Sequence, residues 1–206
     1  MKILFCNKYN YPFSGTEVYL FELMELLREH GHEVALFSMQ DSRGQLTPYD
    51  RHMVSYIDFK SKAGFWRKVR NAGHAIYSTE ARQKLRTMIH EFRPDVAHIR
   101  NIYHHLSPSI LWELKAQGIP VLYHLNDFKL LCPSYNLVSQ GEACEACKGG
   151  KFRHMLGSQC YSGWDARLAQ GGEFFGSHRF VRHDAAERWA AIQRRDIECG
   201  GVDSPS

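Results

Sequence analysis

The stretch KILFCNKYNYPFSGTEVYLFELMELLREHGHEVALF, residues 2–37, decides the fold class of this chain. It opens and closes with short apolar runs that are typical of strands buried on both faces. The segment between them has apolar residues at helical spacing, namely Leu20, Leu23, Met24 and Leu27. Ser14 and Glu17 form an S-x-x-E capping box at the start of this helix, and Gly31 ends it. Strand, helix and strand in this order form a βαβ unit, which predicts a parallel sheet with a right-handed crossover.

The same pattern returns between residues 78 and 127. STEARQKLRTMIHEF is a helix that ends at Arg93-Pro94, and DVAHIRN is the strand that follows it. SPSILWELKAQG is a helix with Ser107 as its cap, Pro108 at its first position and Gly118 as its stop. IPVLYHLND is a further strand. We therefore predict an α/β fold with a Rossmann-like, doubly wound parallel sheet.

Length and composition are those of one globular domain. The chain has 206 residues, of which 44% are hydrophobic, and a formal net charge of +4. This charge is smaller and less clustered than in dedicated nucleic-acid binders, so we expect no nucleic-acid partner. No apolar run is long enough to span a bilayer, and the N-terminal strand is too short for a signal peptide. We expect a cytoplasmic protein with reduced cysteines.

The segment between residues 41 and 78 is less regular and mixes cations with aromatic side chains. Lys62, Arg67 and Lys68 lie beside Phe65 and Trp66 in DFKSKAGFWRKVRNAGHAIY, residues 58–77. A solvated helix with one apolar stripe facing the core is the simpler interpretation. The alternative is peripheral contact with the inner face of an anionic membrane, because bulky apolar groups beside cations suit such a surface.

The composition changes after residue 162. The tail, residues 163–206, has few aliphatic residues, and only DAAERWAAIQRRDI within it is predicted to form a helix, capped by Asp184 with Glu187. Its end, GGVDSPS, has the composition of a disordered segment. We therefore predict a domain of residues 1–162, with a cysteine-rich loop at 130–162, and an atypical, poorly ordered tail at 163–206. A frameshift or a truncation is our hypothesis for the origin of this tail.

Ligands of doubly wound sheets bind beyond the carboxyl ends of the strands, which draws attention to three loops. The first loop enters its helix with the sequence SGTE. Gly15, Thr16 and Glu17 could receive a phosphate or a sugar hydroxyl, since a helix N-terminus presents free N–H groups and glycine permits close approach. The alternative is that Ser14 and Glu17 only cap the helix. Neither a G-x-G-x-x-G fingerprint nor a P-loop is present.

The second and third loops carry polar residues at two further strand ends. HIRNIYHHLS has four candidates for hydrogen bonds to a polar ligand: His98, Asn101, His104 and His105. In the third loop, Asp127 beside Asn126 could bind hydroxyls or assist proton transfer, or it could cap the following turn. No H-E-x-x-H spacing occurs, so we predict no catalytic metal.

Four cysteines after the third loop have the spacing C-x11-C-x2-C-x12-C: Cys132, Cys144, Cys147 and Cys160. Four thiolates with one C-x-x-C knuckle could hold a structural zinc in a loop that is too long to fold alone. The alternative is a set of reduced, partly buried thiols. A thioredoxin-like redox pair is less favoured, because Gly149 and Gly150 follow the knuckle where that motif would open a helix.

Five segments in this order resemble the N-terminal domain of a family 4 glycosyltransferase with the GT-B fold. They are SGTE, GHEV, RPDVAHIRN, HLSPSILWELKAQGIPV and NDFKLLCPSYNLVSQGEACEACKGGK. The last segment is the most specific, because it resembles a bacterial subgroup with a cysteine cluster after the D-F-K-L-L-C-P segment. The resemblance runs from Met1 to about Ser162, and it implies that the predicted sheet is one half of a GT-B fold.

The resemblance also implies a reaction. Members move a sugar from a nucleotide-sugar to an acceptor with retention at the anomeric carbon, and they require no cofactor or catalytic metal. The N-terminal domain mainly receives the acceptor, here a polysaccharide or a lipid-linked glycan. SGTE would lie near the donor phosphates and the acceptor, while His98, Asn101 and Asp127 match polar residues of the family cleft. Asn126 stands where many relatives have histidine, and an amide cannot shuttle a proton at neutral pH.

In the family, a second domain holds most of the nucleotide-sugar, and the resemblance ends before it. We therefore expect a truncated chain that is inactive alone, because stabilisation of the departing nucleotide diphosphate would come largely from that domain. The alternative is a non-catalytic, zinc-stapled domain that binds carbohydrate or a separate partner chain. A nucleic-acid binder that uses the basic and aromatic segment is the least favoured interpretation.

Overall fold

The computed structural model describes residues 1–57, 64–148, 151–157, 160 and 164–199, with side chains at all of these positions except 156, 157, 165 and 183–199. Its centre is a sheet of four parallel strands: β1 (Lys2–Cys6), β2 (Glu33–Phe37), β3 (Val96–Ile99) and β4 (Val121–Tyr123). The strand order is β2-β1-β3-β4, with every neighbouring pair parallel. The prediction of an α/β fold with a parallel sheet is confirmed.

Alternation along β1 and β2 buries both faces of this sheet. Ile3, Phe5 and Leu36 face helix α1 (Gly15–Glu29), which contributes Leu20 and Met24 to that layer. The opposite face packs against α3 (Thr79–Phe92) and α4 (Ser109–Ala116), and its sheet residues are Leu4, Cys6, Ala35, Phe37, Ala97 and Ile99. Helices therefore cover both faces, as the term doubly wound requires.

The ends of these helices follow the sequence signals with two exceptions. Gly31 and Gly118 have φ angles of 79° and 70°, so each ends its helix in the left-handed region that favours glycine. The Ser14–Glu17 capping box does not form: the Ser14 hydroxyl donates to the Glu17 carboxylate and makes no bond to the helix backbone. At α4 the cap is Pro108 rather than Ser107, a shift of one residue.

Helix α2 (Phe65–Ile76) confirms that the basic and aromatic segment is helical. Ala72 and Ala75 are buried on its inner side, while Phe65 and Trp66 are exposed. Lys62 and the rest of residues 58–63 lie outside the described residues. Among the helices described, none combines the length and the apolar character needed to cross a membrane.

The residues described between β4 and the last helix contain little regular structure. Strands β5 (Val138–Ser139) and β6 (Glu142–Ala143) form an antiparallel hairpin that turns at Gly141, where φ is 86°. Helix α5 (His154–Gly157) follows the C-x-x-C knuckle. The cysteine-rich loop is thus held by a short hairpin and one helical turn.

The tail differs from its prediction. A helix was expected only from Asp184, yet helix α6 (Trp164–Cys199) is continuous and Asp184 lies within it. Phe174 and Phe180 are buried, and the Phe180 ring meets Trp112 of α4 edge-on with 5.4 Å between centroids. Its buried face is made of aromatic and small or polar residues instead of aliphatic ones, which is why a search for aliphatic periodicity overlooks it. The origin of the tail by frameshift stays a prediction, and residues 200–206 lie outside the described residues.

Candidate functional site

The N-terminus of α1 opens at the carboxyl edge of the sheet. The first N–H groups of any helix have no partner within it, and at this end they begin at Gly15 and Thr16. A Cβ added at Gly15 would meet no atom within 4 Å, so the space in front of this backbone is open. A phosphate or a hydroxyl could therefore approach these two residues, as the sequence predicts.

Glu17 joins the first loop to the second. Its carboxylate is buried, accepting a hydrogen bond from Ser14 Oγ at 2.6 Å and one from Asn7 Nδ2 at 3.4 Å. Asn7 Oδ1 in turn accepts from the backbone N–H of Asn101 at 3.3 Å. Glu17 and Asn101, both predicted to bind substrate, are thus brought together through Asn7, with the Glu17 carboxylate turned inward.

Arg100 is a buried cation directly beyond β3. Only 3% of it is exposed, and its guanidinium lies over the Tyr19 ring, 4.7 Å from the centroid. Its Nε and Nη1 atoms have no hydrogen-bond partner among the described residues. Burial lowers the pKa of Arg100, although the nearby Tyr19 and Glu17 act in the opposite direction. A buried guanidinium with unmet donors is costly and therefore points to an anion as its partner.

His98 lies beside Arg100 on the same face of β3. Its ring stacks on His124 with 5.5 Å between centroids and an angle of 15°, and it contacts Phe5 on the other side. Burial, with smaller contributions from His124 and Arg100, lowers the pKa of His98 to about 4. His98 is therefore neutral at pH 7, and its Nε2 has no hydrogen-bond partner among the described residues. We call Tyr19, His98, Arg100 and His124 the strand-edge cluster.

Three members of this cluster were not predicted from the sequence. Arg100, Tyr19 and His124 are not recognisable as site residues, because a single arginine or histidine at a strand end is usually solvated. The alternation of side chains along a strand is the signal that could have found Arg100. Residues two apart share a face of the sheet, so Arg100 lies on the same side as His98. His98 pairs with Phe5, which faces α1.

Asp127 and Asn126, the candidate catalytic residues, lie in the loop after β4. Asp127 Oδ1 accepts hydrogen bonds from the Lys129 N–H at 2.8 Å and from the Tyr103 hydroxyl at 3.1 Å. This is the turn-capping arrangement that the sequence left open as an alternative. Asn126 is exposed, and these two hydrogen bonds of Asp127 are to residues outside the strand-edge cluster. Catalytic roles for these two residues stay predictions.

The other two histidines of the second loop serve internal contacts. His104 Nδ1 lies 2.9 Å from Glu173 Oε1 of α6, and His105 Nε2 donates to the Ile57 carbonyl at 3.0 Å. Lys129 is buried as well, 3.6 Å from Glu173 Oε2, and burial lowers its pKa. We call His104, Lys129, Gln170 and Glu173 the buried polar cluster. It joins both loops to α6.

The four cysteines of the predicted zinc site lie in the same part of the chain. Cys132 is buried with its sulfur 3.1 Å from Ser134 Oγ, and Cys144, Cys147 and Cys160 are half-buried. Burial, and then the other three thiols, raise the pKa of Cys147. Across the described part of the chain, however, no three His, Cys, Asp or Glu side chains are placed to share a metal ion.

Comparison with known proteins adds one family match. Residues 14–193 match the family model described as a glycosyl transferase 4-like domain. The match begins at the residue that precedes α1 and extends far into α6, whereas the resemblance was expected to end near Ser162. No curated protein and no solved structure matches this chain significantly.

Proposed function

Because the chain belongs to the glycosyl transferase 4-like family, we propose that it is the acceptor-side domain of a retaining glycosyltransferase. The donor is a nucleotide-sugar, and the acceptor is a polysaccharide or a lipid-linked glycan of surface-polysaccharide assembly. The fold supports this proposal, since the parallel sheet and its covering helices form a Rossmann-like unit of the kind that makes up half of a GT-B enzyme.

The buried, unpaired guanidinium of Arg100 is the observation that carries the proposal. It lies at the carboxyl edge of the sheet and contacts the Tyr19 ring of α1. The N-terminus of α1 opens at the same edge. Arginine and helix N-terminal N–H groups are the two protein groups best suited to phosphate oxygens. Together they would contact the diphosphate of the donor from the acceptor side and add to the stabilisation that the second domain of the family supplies as it departs.

His98 has a separate role in this proposal. Its low pKa keeps the ring neutral at pH 7, so it offers one donor and one acceptor nitrogen instead of a charge. Such a ring can orient a sugar hydroxyl without competing with Arg100 for the anion. Gly15 and Thr16 would present backbone N–H groups, and Asp127 with Asn126 would contact acceptor hydroxyls from the third loop.

Contact with a membrane would deliver a lipid-linked acceptor. Phe65 and Trp66 of α2 are 60% and 80% exposed, and Phe65 lies 5.5 Å from Trp164 of α6, measured between ring centroids. Arg67, Lys68 and Arg70 of the same helix supply positive charge next to these rings. This combination supports peripheral contact at the inner face of a membrane.

Binding of inorganic pyrophosphate and of nucleoside diphosphates tests the proposed site. Calorimetry is expected to show binding to the parent chain and at least about a tenfold loss in Arg100→Gln, because a charge-assisted bond to phosphate is removed. Arg28→Gln, at the opposite end of α1, is the control and is expected to bind like the parent. Equal affinities of Arg100→Gln and the parent would reject the site.

The zinc-stapled alternative stays a separate proposal. Its support is the cysteine spacing and the electrostatic influence of three thiols on Cys147, while the described side chains form no three-ligand group. Measurement of the metal content of the purified chain tests whether it holds a structural zinc. About one zinc per chain, lost in Cys144→Ser, would favour a structural site, and a metal-free chain with unchanged thermal stability after chelation would reject it.

A further inference from the structure

A second concave site lies outside the strand-edge cluster. It is a cavity of about 720 Å³ between residues of the 130–148 stretch, Phe152 and helix α6. Its apolar walls come from Leu130, Leu131, Leu137, Phe152 and Phe175. This volume is in the range of small-molecule sites, and mostly apolar walls with a few polar groups are typical of them. No residue of the strand-edge cluster lines this cavity.

Several of its apolar side chains are left open to solvent. Leu131 is 63% exposed and Phe175 is 53% exposed, although both line a cavity in which they could be covered. Exposed apolar walls around a cavity indicate a ligand surface, because such area is unfavourable in water. An apolar chain would cover these residues.

Charged side chains at the edge of the cavity indicate which polar group a bound apolar ligand would carry. Lys148 Nζ pairs with Glu145 at 2.8 Å, so these two charges offset each other. Arg182 is exposed at the rim one turn from His178, and no acidic partner for it occurs among the side chains that the structure describes. Among the described residues that line the cavity, Arg182 is therefore a cation without a carboxylate partner, and it complements an anion.

One face of helix α6 carries the apolar wall of the cavity and then its cationic edge. Phe175, His178 and Arg182 are three and four residues apart, so they follow one face of the helix from the apolar wall to the rim. The Phe152 ring lies 5.4 Å from the His178 ring, which closes the wall between them. A ligand with an apolar chain and a terminal anion matches this order.

We propose that this cavity binds one alkyl or isoprenyl chain that ends in a phosphate. The proposal rests on the proposed function and deepens it, because it names the chemical class of the acceptor: a lipid that carries a phosphate. Leu130 is three residues from Asp127, so the cavity adjoins the loop at the carboxyl end of β4. The strand-edge cluster binds the donor phosphates, and the cavity binds the lipid of the acceptor.

Dodecyl phosphate, kept below its critical micelle concentration, is the probe for calorimetric titration. Binding is expected to be at least about tenfold tighter than that of dodecyl maltoside, which has the same chain without charge. Hexyl phosphate is expected to bind at least about a hundredfold more weakly than dodecyl phosphate, because its chain is six methylenes shorter. Equal binding of the charged and uncharged amphiphiles would overturn the proposal. Binding seen only with lipid vesicles would also overturn it, because that result describes a membrane surface instead of a cavity.

Matched variants locate the site. Leu131→Asp and Arg182→Gln are each expected to weaken dodecyl phosphate binding by about tenfold or more. Leu46→Asp, at a residue that is 93% exposed, and Arg179→Gln, one turn from Arg182 on α6, are the controls and are expected to bind like the parent. Loss of binding in a control to the same extent would overturn the proposal. Thermal unfolding of each variant confirms that the chain is folded.

The two sites can fail independently. Arg100→Gln is expected to lose pyrophosphate and keep dodecyl phosphate, while Arg182→Gln is expected to do the reverse. Failure of pyrophosphate binding alone would reject the donor site of the proposed function. Failure of dodecyl phosphate binding alone would reject the lipid-phosphate acceptor.

Discussion

Buried histidines make the stability of this chain depend on pH. Burial is the main cause that lowers the pKa of His98 to about 4 and that of His105 to about 3. Between about pH 6.5 and pH 4 the unfolded chain binds protons at these two rings, whereas in the folded chain both rings stay mostly neutral. The unfolded state therefore holds more protons, so the free energy of unfolding rises with pH in this range.

We predict that the free energy of unfolding falls as the pH is lowered from 6.5 to 4. His98→Gln is expected to reduce this slope by at most about 1.4 kcal/mol per pH unit, because one titrating group is removed. Urea unfolding at several pH values measures the slope. His30→Gln, at an exposed histidine that follows α1, is the control. A slope in His98→Gln that equals the slope of the parent would contradict the low pKa of His98.

Some residues of the candidate site could be predicted from the sequence, and others could not. Gly15, Thr16, His98 and Asn101 were predicted as site residues because they lie at or beyond the ends of strands that share one edge of the sheet. Arg100 was not, since its burial depends on Tyr19, which α1 brings over it from eighty residues away in the chain. Side-chain burial that arises from another element leaves no local sequence signal.

At the scale of elements, the periodic segments were predictable and the last helix was not. The four strands and helices α1, α3 and α4 have apolar residues at the spacing their burial requires. Helix α6 instead approaches α2 through small residues, which permit close packing but give no apolar stripe. Gly172 lies against Ile76 of α2, and Gly171 lies against Met155 of α5.

This difference between two adjacent glycines gives a matched experiment. A Cβ at Gly172 would meet Ile76 Cγ1 at 2.2 Å, whereas one at Gly171 would meet the terminal Cε of Met155 at 2.6 Å. Alanine gains about 1 kcal/mol in helix propensity at either position, and overpacking costs about 1–3 kcal/mol where the neighbour cannot move. Gly172→Ala is therefore expected to lower the free energy of unfolding, and Gly171→Ala to preserve or raise it.

Urea unfolding monitored by circular dichroism measures both variants. Ile76→Ala combined with Gly172→Ala is expected to recover part of the loss, because the clashing branch is removed. A Gly172→Ala variant as stable as Gly171→Ala would mean that α2 and α6 are not packed at this distance.

At the scale of the molecule, α6 completes the domain. Phe174 and Phe180 are buried, Glu173 joins the buried polar cluster, and α2 packs along the same helix. Removal of this helix would uncover α2 and α4 and would remove Gln170 and Glu173, the two α6 residues that Lys129 contacts. The predicted boundary at residue 162 would then divide a single core.

We predict that a chain ending at residue 163 fails to form a stable fold. The exposed apolar surface and the loss of the Glu173 carboxylate from beside Lys129 are expected to cause aggregation, or to abolish a cooperative thermal transition. Circular dichroism melting and size-exclusion chromatography test this, with a chain ending at residue 199 as the control. A cooperative transition at the temperature of the longer chain would show that residues 164–199 are dispensable, as an unrelated tail would be.

The central position of β1 has a consequence for the order of events during synthesis. β1 pairs with β3 as well as with β2, and Asp95, just before β3, accepts a hydrogen bond from the backbone of Lys2 across 93 positions. Nearly half of the chain must therefore leave the ribosome before the first strand acquires its second neighbour. Until then, one edge of β1 stays unpaired and the sheet face that α3 and α4 cover in the folded chain stays exposed, which favours slow folding and association with chaperones.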